Sequence, residues 1–192
     1  MKQISASEQV ISPWVTLVAR TITAGEGDAP RTFHSLKQAD YVSVLAVTAD
    51  GRVPVVRQYR PTAEGKTLEL PAGLLEADET PELCAHRELA EECGLALPEG
   101  GGFTLLPVMR PDTGRLENRL WSYFATGVTP VQGWQPEPGM ECLLLDPSEL
   151  SDAIARGAFN HALHIAVIGQ AMLSGLFSPL VTVPRGSMND SA

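Results

Sequence analysis

Residues 73–95, GLLEADETPELCAHRELAEECGL, constrain this chain more than any other stretch. Thr80 is placed to cap a helix whose first position is Pro81, and Gly94 to end it in a left-handed turn, so the segment predicts a helix with readable boundaries. Positions three and four apart share a helical face, which sets Glu88 beside Glu91 and Glu92, with Arg87 next to them. Like charges this close repel unless a cation compensates them. Hard carboxylate oxygens suit Mg²⁺ or Mn²⁺, ions that keep several waters and bind the phosphates of a substrate directly. A solvated acidic face is the competing reading of an isolated Glu-Glu pair. Leu89 and Leu95 are expected to face a core.

Around this helix the chain alternates strands and helices. VTLVARTIT at 15–23, RTFHSL at 31–36, YVSVLAVT and VPVVRQY read as strands, with GEGDAP at 25–30 as a turn and Asp50-Gly51 as a hairpin signal joining the last two. FTLLPVM at 103–109, RLWSYFATGV at 119–128 and ECLLLD at 141–146 are further strand candidates, with a Gly/Pro-rich loop at 129–139. PSELSDAIARG predicts a helix capped by Pro147 or Ser148, and a mostly apolar helix follows at about 160–176. The polar end PRGSMNDSA is expected to fray. The mixture predicts an α/β sandwich.

Composition removes several function classes. A chain of 192 residues with 44% hydrophobic content can bury one sizeable core. No stretch approaches the roughly twenty apolar residues of a membrane span, and the first residues show no secretory pattern, so the expected location is the cytoplasm. Cys84, Cys93 and Cys142 are odd in number and lack metal-type pairing, as free thiols in a reducing compartment would be. A net charge of −9 argues against broad binding to nucleic acid or anionic membrane. His161 and His164 sit at helical spacing with no acidic or cysteine neighbour in the sequence, which favours helix packing over zinc. Asn189-Asp190-Ser191 fits a glycosylation pattern that means little without secretion.

In register, the segment reads Gly73, five residues, Glu79, seven residues, Arg87-Glu88-Leu89, one residue, Glu91-Glu92, one residue, Gly94-Leu95. This resembles the Nudix box at every fixed position. The resemblance implies a Nudix-type α/β/α sandwich with a mixed sheet and an additional N-terminal strand region. On that pattern residues 1–38 serve dimerisation and base binding, 39–180 form the hydrolase domain, and 181–192 are a polar tail. It also implies that Glu88, Glu91 and Glu92 are the principal metal ligands, with Glu79 and Arg87 in support. Gly73, without a Cβ, lets the backbone approach the metal, so that the Ala72 carbonyl can become a ligand.

The chemistry implied is Mg²⁺-dependent hydrolysis of a nucleoside diphosphate linked to another moiety, with Mn²⁺ as a substitute. The resemblance implies a glutamate on a late loop outside the box as the water-activating base; of Glu137 and Glu141, Glu141 is favoured because it abuts the strand that would fix it, and Glu92 stays open. Flanking residues resemble the ADP-ribose and ADP-sugar pyrophosphatase branch: VVRQYRPTAEGKTLELPAG leads into the box, and Pro111 lies past Leu95 where that branch commonly has a proline. That branch implies adenine stacking by Trp14 and Phe33, reaching across a homodimer. Arg60 is a phosphate candidate, and Arg57 is expected in a salt bridge or strand pair. RPDTGRLEN at 110–118 departs from the usual loop, which leaves sugar contacts to Asp112 and Asn118 among others. Alternatives are a Nudix enzyme of another nucleotide, such as a UDP- or GDP-sugar or a dinucleoside polyphosphate, and a non-catalytic nucleotide-sensing module.

Overall fold

Period-two patterning and the turns between strands divide the chain into three small sheets. The computed structural model describes residues 2–25 and 27–178. β1 (Lys2–Ser12), β2 (Val15–Thr23) and β3 (Arg31–Lys37) pair antiparallel in that order. This sheet stands off the body and joins it at few points. Leu36 N–H donates to Arg115 O at 2.7 Å, Glu117 N–H donates to Leu36 O at 3.0 Å, and Arg20 and Ser35 bind the Glu117 carboxylate. β1 has no counterpart in the sequence reading. It is exposed along its length, so burial left no alternation to read.

β4 (Tyr41–Thr48) and β5 (Val53–Arg60) are followed by β6 (Gly65–Glu69), β7 (Ala72–Leu74) and α1 (Pro81–Cys93). Then come β8 (Leu95–Ala96), β9 (Thr104–Leu105), β10 (Leu120–Pro130), β11 (Met140–Leu145), α2 (Pro147–Ala155) and α3 (Ala162–Leu173). β4 and β10 run parallel, with Val44 opposite Tyr123, and β7, β8 and β9 extend that sheet. A parallel pair needs a long crossover, and α1 lies within it. β11, β5 and β6 make the third sheet.

Along β4, Val42, Val44 and Ala46 face a core layer with Cys84, Ala85 and Leu89 of α1. Leu45 faces a second layer with Leu150 and Ala153 of α2 and Val167, Ile168 and Ala171 of α3. β10 repeats the division: Tyr123 and Ala125 face the α1 layer, Leu120 and Phe124 the other. The architecture is therefore a mixed α/β sandwich with helices on both sides, as expected. Among the described residues, no helix is long and apolar enough to cross a membrane.

Four local expectations change. The Asp50-Gly51 turn forms, with Gly51 at φ 87° and Thr48 N–H donating to Arg52 O at 2.8 Å. It carries the chain from one sheet to another, because β4 pairs with β10 and β7 while β5 pairs with β11 and β6; β4–β5 is not a paired hairpin. Residues 103–109 keep only the short β9, since Pro107 cannot donate to a ladder. α2 is capped by Asp146, one residue before Pro147, and the Glu149 carboxylate accepts the Asp146 N–H at 2.8 Å. α3 covers less than the 160–176 span. The tail 181–192 and the Asn189 pattern lie outside the described residues.

Candidate active site

α1 supplies the acidic face, and its ends form as local chemistry dictates. Thr80 Oγ1 accepts the Leu83 N–H at 3.3 Å, Pro81 occupies the first turn, and Gly94 closes the helix at φ 61°. Leu89, Cys84 and Ala85 go to the core, which leaves Arg87 and Glu91 toward solvent and Glu88 and Glu92 buried at the edge. Arg87 binds Glu79 through both ends of its fork, Nε to Oε1 at 2.9 Å and Nη2 to Oε2 at 3.0 Å. Its Nη1 donates to Glu88 at 2.7 Å and to Glu91 at 3.2 Å. One guanidinium thus ties the loop before α1 to two of its carboxylates.

β7 brings the Ala72-Gly73 turn against this face. Ala72 N–H donates to Glu92 Oε2 at 2.8 Å. A Cβ built on Gly73 would fall 1.9 Å from Glu88 Oε1, so only glycine permits this approach. Burial pushes the Glu92 carboxyl up to about 8, and the neighbouring Glu88 adds to the rise; burial likewise raises Glu88. Clustered carboxylates in this state, with a backbone segment held beside them and no Cβ between, are a donor set that fits a hard divalent cation.

A cavity of about 830 Å³ opens beside the box turn, lined by Leu74, Tyr41, Arg60, Glu69, Asn118 and His161 among others. Arg60 grips Glu69 bidentately at 2.8 and 2.7 Å, and Thr67 donates to the same carboxylate at 2.6 Å. Burial alone would push Glu69 up; these hydrogen bonds and the arginine charge outweigh it and bring the carboxyl down to about 2. Asn118 is buried and donates through Nδ2 to Ala39 O at 3.2 Å, while its Oδ1 has no partner among the described residues.

The fold also supplies what the sequence lacked around the histidines. Glu69, His161 and His164 bring possible ligand atoms within 4.8 Å of one another, so an acidic neighbour does exist. Its oxygens are nevertheless engaged by Arg60 and Thr67, and both nitrogens of His164 face partners in the protein: Leu70 N–H at 2.9 Å and the Tyr41 hydroxyl at 3.1 Å. Hydrogen bonds within the protein thus engage Glu69 and His164, whereas the buried Nδ1 of His161 has no partner among the described residues.

Other expected residues fall elsewhere. Trp14 and Phe33 are 68% and 54% exposed on the N-terminal sheet, and neither lines the cavity. Asp112 Oδ1 accepts the N–H groups of Gly114 and Arg115 at 2.8 and 3.1 Å, shaping its own loop. Glu141 accepts from Arg57 and Lys66, which together hold its carboxyl below the usual range. Glu137 is exposed on the loop before β11. That loop is pinned by Trp134, whose Nε1 donates to Glu91 O at 2.8 Å. Tyr41, Glu69, Asn160 and His161 reach the cavity without having been singled out as site residues; Glu69 did stand in the ELPAG approach to the box.

The NUDIX domain model matches residues 37–163. An ADP-ribose pyrophosphatase of Bacillus subtilis (strain 168) is 40% identical over 90 residues, which is 46% of this chain and 48% of that protein. An ADP-ribose pyrophosphatase of Mycobacterium tuberculosis is 33% identical over 129 residues, 65% of this chain and 61% of that one. An ADP-sugar pyrophosphatase of Mus musculus is 37% identical over 106 residues, covering 48% of each chain. The matches therefore span about half to three fifths of those relatives. A crystal structure of an ADP compounds hydrolase superposes with a TM-score of 0.74 over 92% of this chain and 96% of its own, at 16% identity, a likeness of fold.

Proposed function

The chain belongs to the NUDIX family, whose domain fills residues 37–163, and from that membership we propose that it hydrolyses the pyrophosphate bond of ADP-ribose or a related nucleoside diphosphate sugar. The products would be a nucleoside monophosphate and a sugar phosphate, in a Mg²⁺-dependent reaction. One observation carries this reading: the buried Glu88 and Glu92 meet the Ala72-Gly73 turn directly beside a cavity that holds an arginine and is large enough for a dinucleotide-sized ligand.

Glu88, Glu91, Glu92 and the Ala72 carbonyl would hold the ion. Bound there, a divalent cation supplies charge neutralisation at the leaving phosphate and a lowered pKa for the attacking water. The protein does the rest. Arg87 and Glu79 keep the acidic face in position, and Arg60, with Nη1 free of partners among the described residues, meets phosphate oxygens. The vacant acceptor of Asn118 is suited to a sugar hydroxyl. A carboxylate must take the water's proton. The two ion pairs of Glu141 lower its basicity, which moves this role toward Glu137 on the preceding loop.

Mixing the protein with ADP-ribose and Mg²⁺ and resolving products by chromatography tests the reading. AMP and ribose 5-phosphate are expected; no AMP above a Glu92→Gln control would sink it. Glu137→Gln should cost about a hundredfold or more in kcat, and a larger loss in Glu141→Gln would return the base role to Glu141.

The N-terminal sheet fits a homodimer. Ile4, Val10, Ile11, Trp14 and Phe33 are exposed on it, apolar side chains for a second copy to cover. A second copy would cover these side chains and bring Trp14 and Phe33 to the base of the nucleotide. Sedimentation showing a monomer would remove that role from both. The free thiols at Cys84, Cys93 and Cys142 support a reducing, cytoplasmic setting.

A further inference from the structure

The segment that would present the Ala72 carbonyl is gripped from two opposite sides. From α1, Glu92 accepts the Ala72 N–H at 2.8 Å; from α3, His164 Nδ1 accepts the Leu70 N–H at 2.9 Å. Between them Pro71 has no N–H to offer, and its carbonyl accepts from Val44 of β4 at 2.9 Å. Every backbone donor from Leu70 to Ala72 is thereby fixed by a different element. Only one of these anchors is a side chain from outside the box.

His164 is fully buried against the rings of Tyr41, Phe159 and His161. An imidazole placed there is unfavourable unless both nitrogens are satisfied. Here both are. Because Nδ1 accepts from Leu70, the proton resides on Nε2, which donates to the Tyr41 hydroxyl at 3.1 Å. His161 stacks on the same ring at 3.8 Å between centroids and 18° between planes, so the imidazole has neither room to turn nor reason to.

We propose that His164 is a positioning residue for the metal-binding loop: it holds Leu70 from the α3 side while Glu92 holds Ala72 from the box side, and so sets where the Ala72 carbonyl points. The proposal rests on the reading of the box as a divalent-cation site. It extends that site to a helix which contributes nothing to the box itself. Residues that orient a ligand without touching the ion commonly change metal affinity about tenfold or more when removed.

Two substitutions separate positioning from bulk packing. In His164→Asn, the side-chain oxygen falls where Nδ1 lies and can still accept from Leu70. In His164→Gln, the amide reaches the Nε2 position and Tyr41 but leaves Leu70 N–H without its acceptor. Amide exchange at Leu70 and the dissociation constant of Mn²⁺ alone are measured on both and on the wild-type protein. Expected for His164→Gln is faster Leu70 exchange and a Mn²⁺ constant raised about tenfold or more, with His164→Asn within about threefold of wild type on both counts.

Equal changes in the two variants overturn the proposal, as does a His164→Gln protein that exposes Leu70 yet binds Mn²⁺ unchanged. Wild-type protein that binds no Mn²⁺ overturns the box reading and this one together, whereas tight wild-type binding with indifferent variants overturns this one alone. If His164→Gln does not fold, His164→Leu, which likewise leaves Leu70 N–H without its acceptor, takes its place: weakened Mn²⁺ binding beside an unchanged His164→Asn upholds the assignment, and unchanged binding overturns it.

Discussion

Gly73 and Glu92 show how narrowly single residues set this site. An added methyl at residue 73 would stand 1.9 Å from Glu88 Oε1, so Gly73→Ala must drive either the carboxylate or the β7 turn away. We expect Mn²⁺ binding about tenfold weaker or worse with the helical circular-dichroism signal intact, and unaltered binding would mean that the turn has slack. Glu92 makes a different prediction. Its carboxyl, pushed up to about 8 by burial and then by Glu88, still holds its proton near pH 7 in the metal-free protein. A cation must displace that proton. Affinity should therefore rise as pH climbs from about 6, by up to about tenfold per unit, and level off above about 8, while Glu92→Gln flattens the curve. Calorimetric titration in buffers of different ionisation heat would count the protons released. Spacing alone set Glu88, Glu91 and Glu92 on neighbouring positions of one helix, and α1 forms there. The burial of Glu88 and Glu92 was not readable, because it depends on β7 packing against them, and neither was the Arg60–Glu69 pair, which β5 and β6 form only once aligned.

At the scale of elements, α1 ends where its neighbours require it to. Gly94 is left-handed, and a Cβ there would also lie 2.3 Å from Trp134 Cδ2, since the indole packs across the helix end. Gly94→Ala should cost about 1 kcal/mol or more from backbone strain, with a further part from the collision. In urea unfolding, a Trp134→Ala background should remove that further part, and strictly additive effects would show that the two do not touch. The same element shows what sequence makes legible. Thr80, Pro81 and Gly94 are local signals, and the helix begins and ends on them. β2 through β5, β10 and β11 carried β-branched, aromatic or apolar runs bounded by turn residues, strong enough to read. β1 did not, being exposed throughout, and the partners of β4 and β5 could not be read from the Asp50-Gly51 turn. A turn says that the chain bends and leaves open which strand it will lie against.

For the whole molecule, the decisive feature is β4, whose successive side chains belong alternately to the α1 layer and to the layer under α2 and α3. Such a strand cannot leave one layer and remain in the other. Scanning calorimetry should accordingly show residues 39–178 melting as one unit, with calorimetric and van't Hoff enthalpies in agreement; two separate transitions within that span would contradict it. The N-terminal sheet, joined mainly through Leu36 and Glu117, is free of this constraint and should exchange its amides sooner. A change deep in the α3 layer that destabilises β4 is thus felt on the far side of the sheet, as a lower population of molecules with an intact acidic helix. Loss of activity at a remote position would then be a matter of how much protein is folded at a given moment, and added cation, by binding only the folded form, should restore part of it.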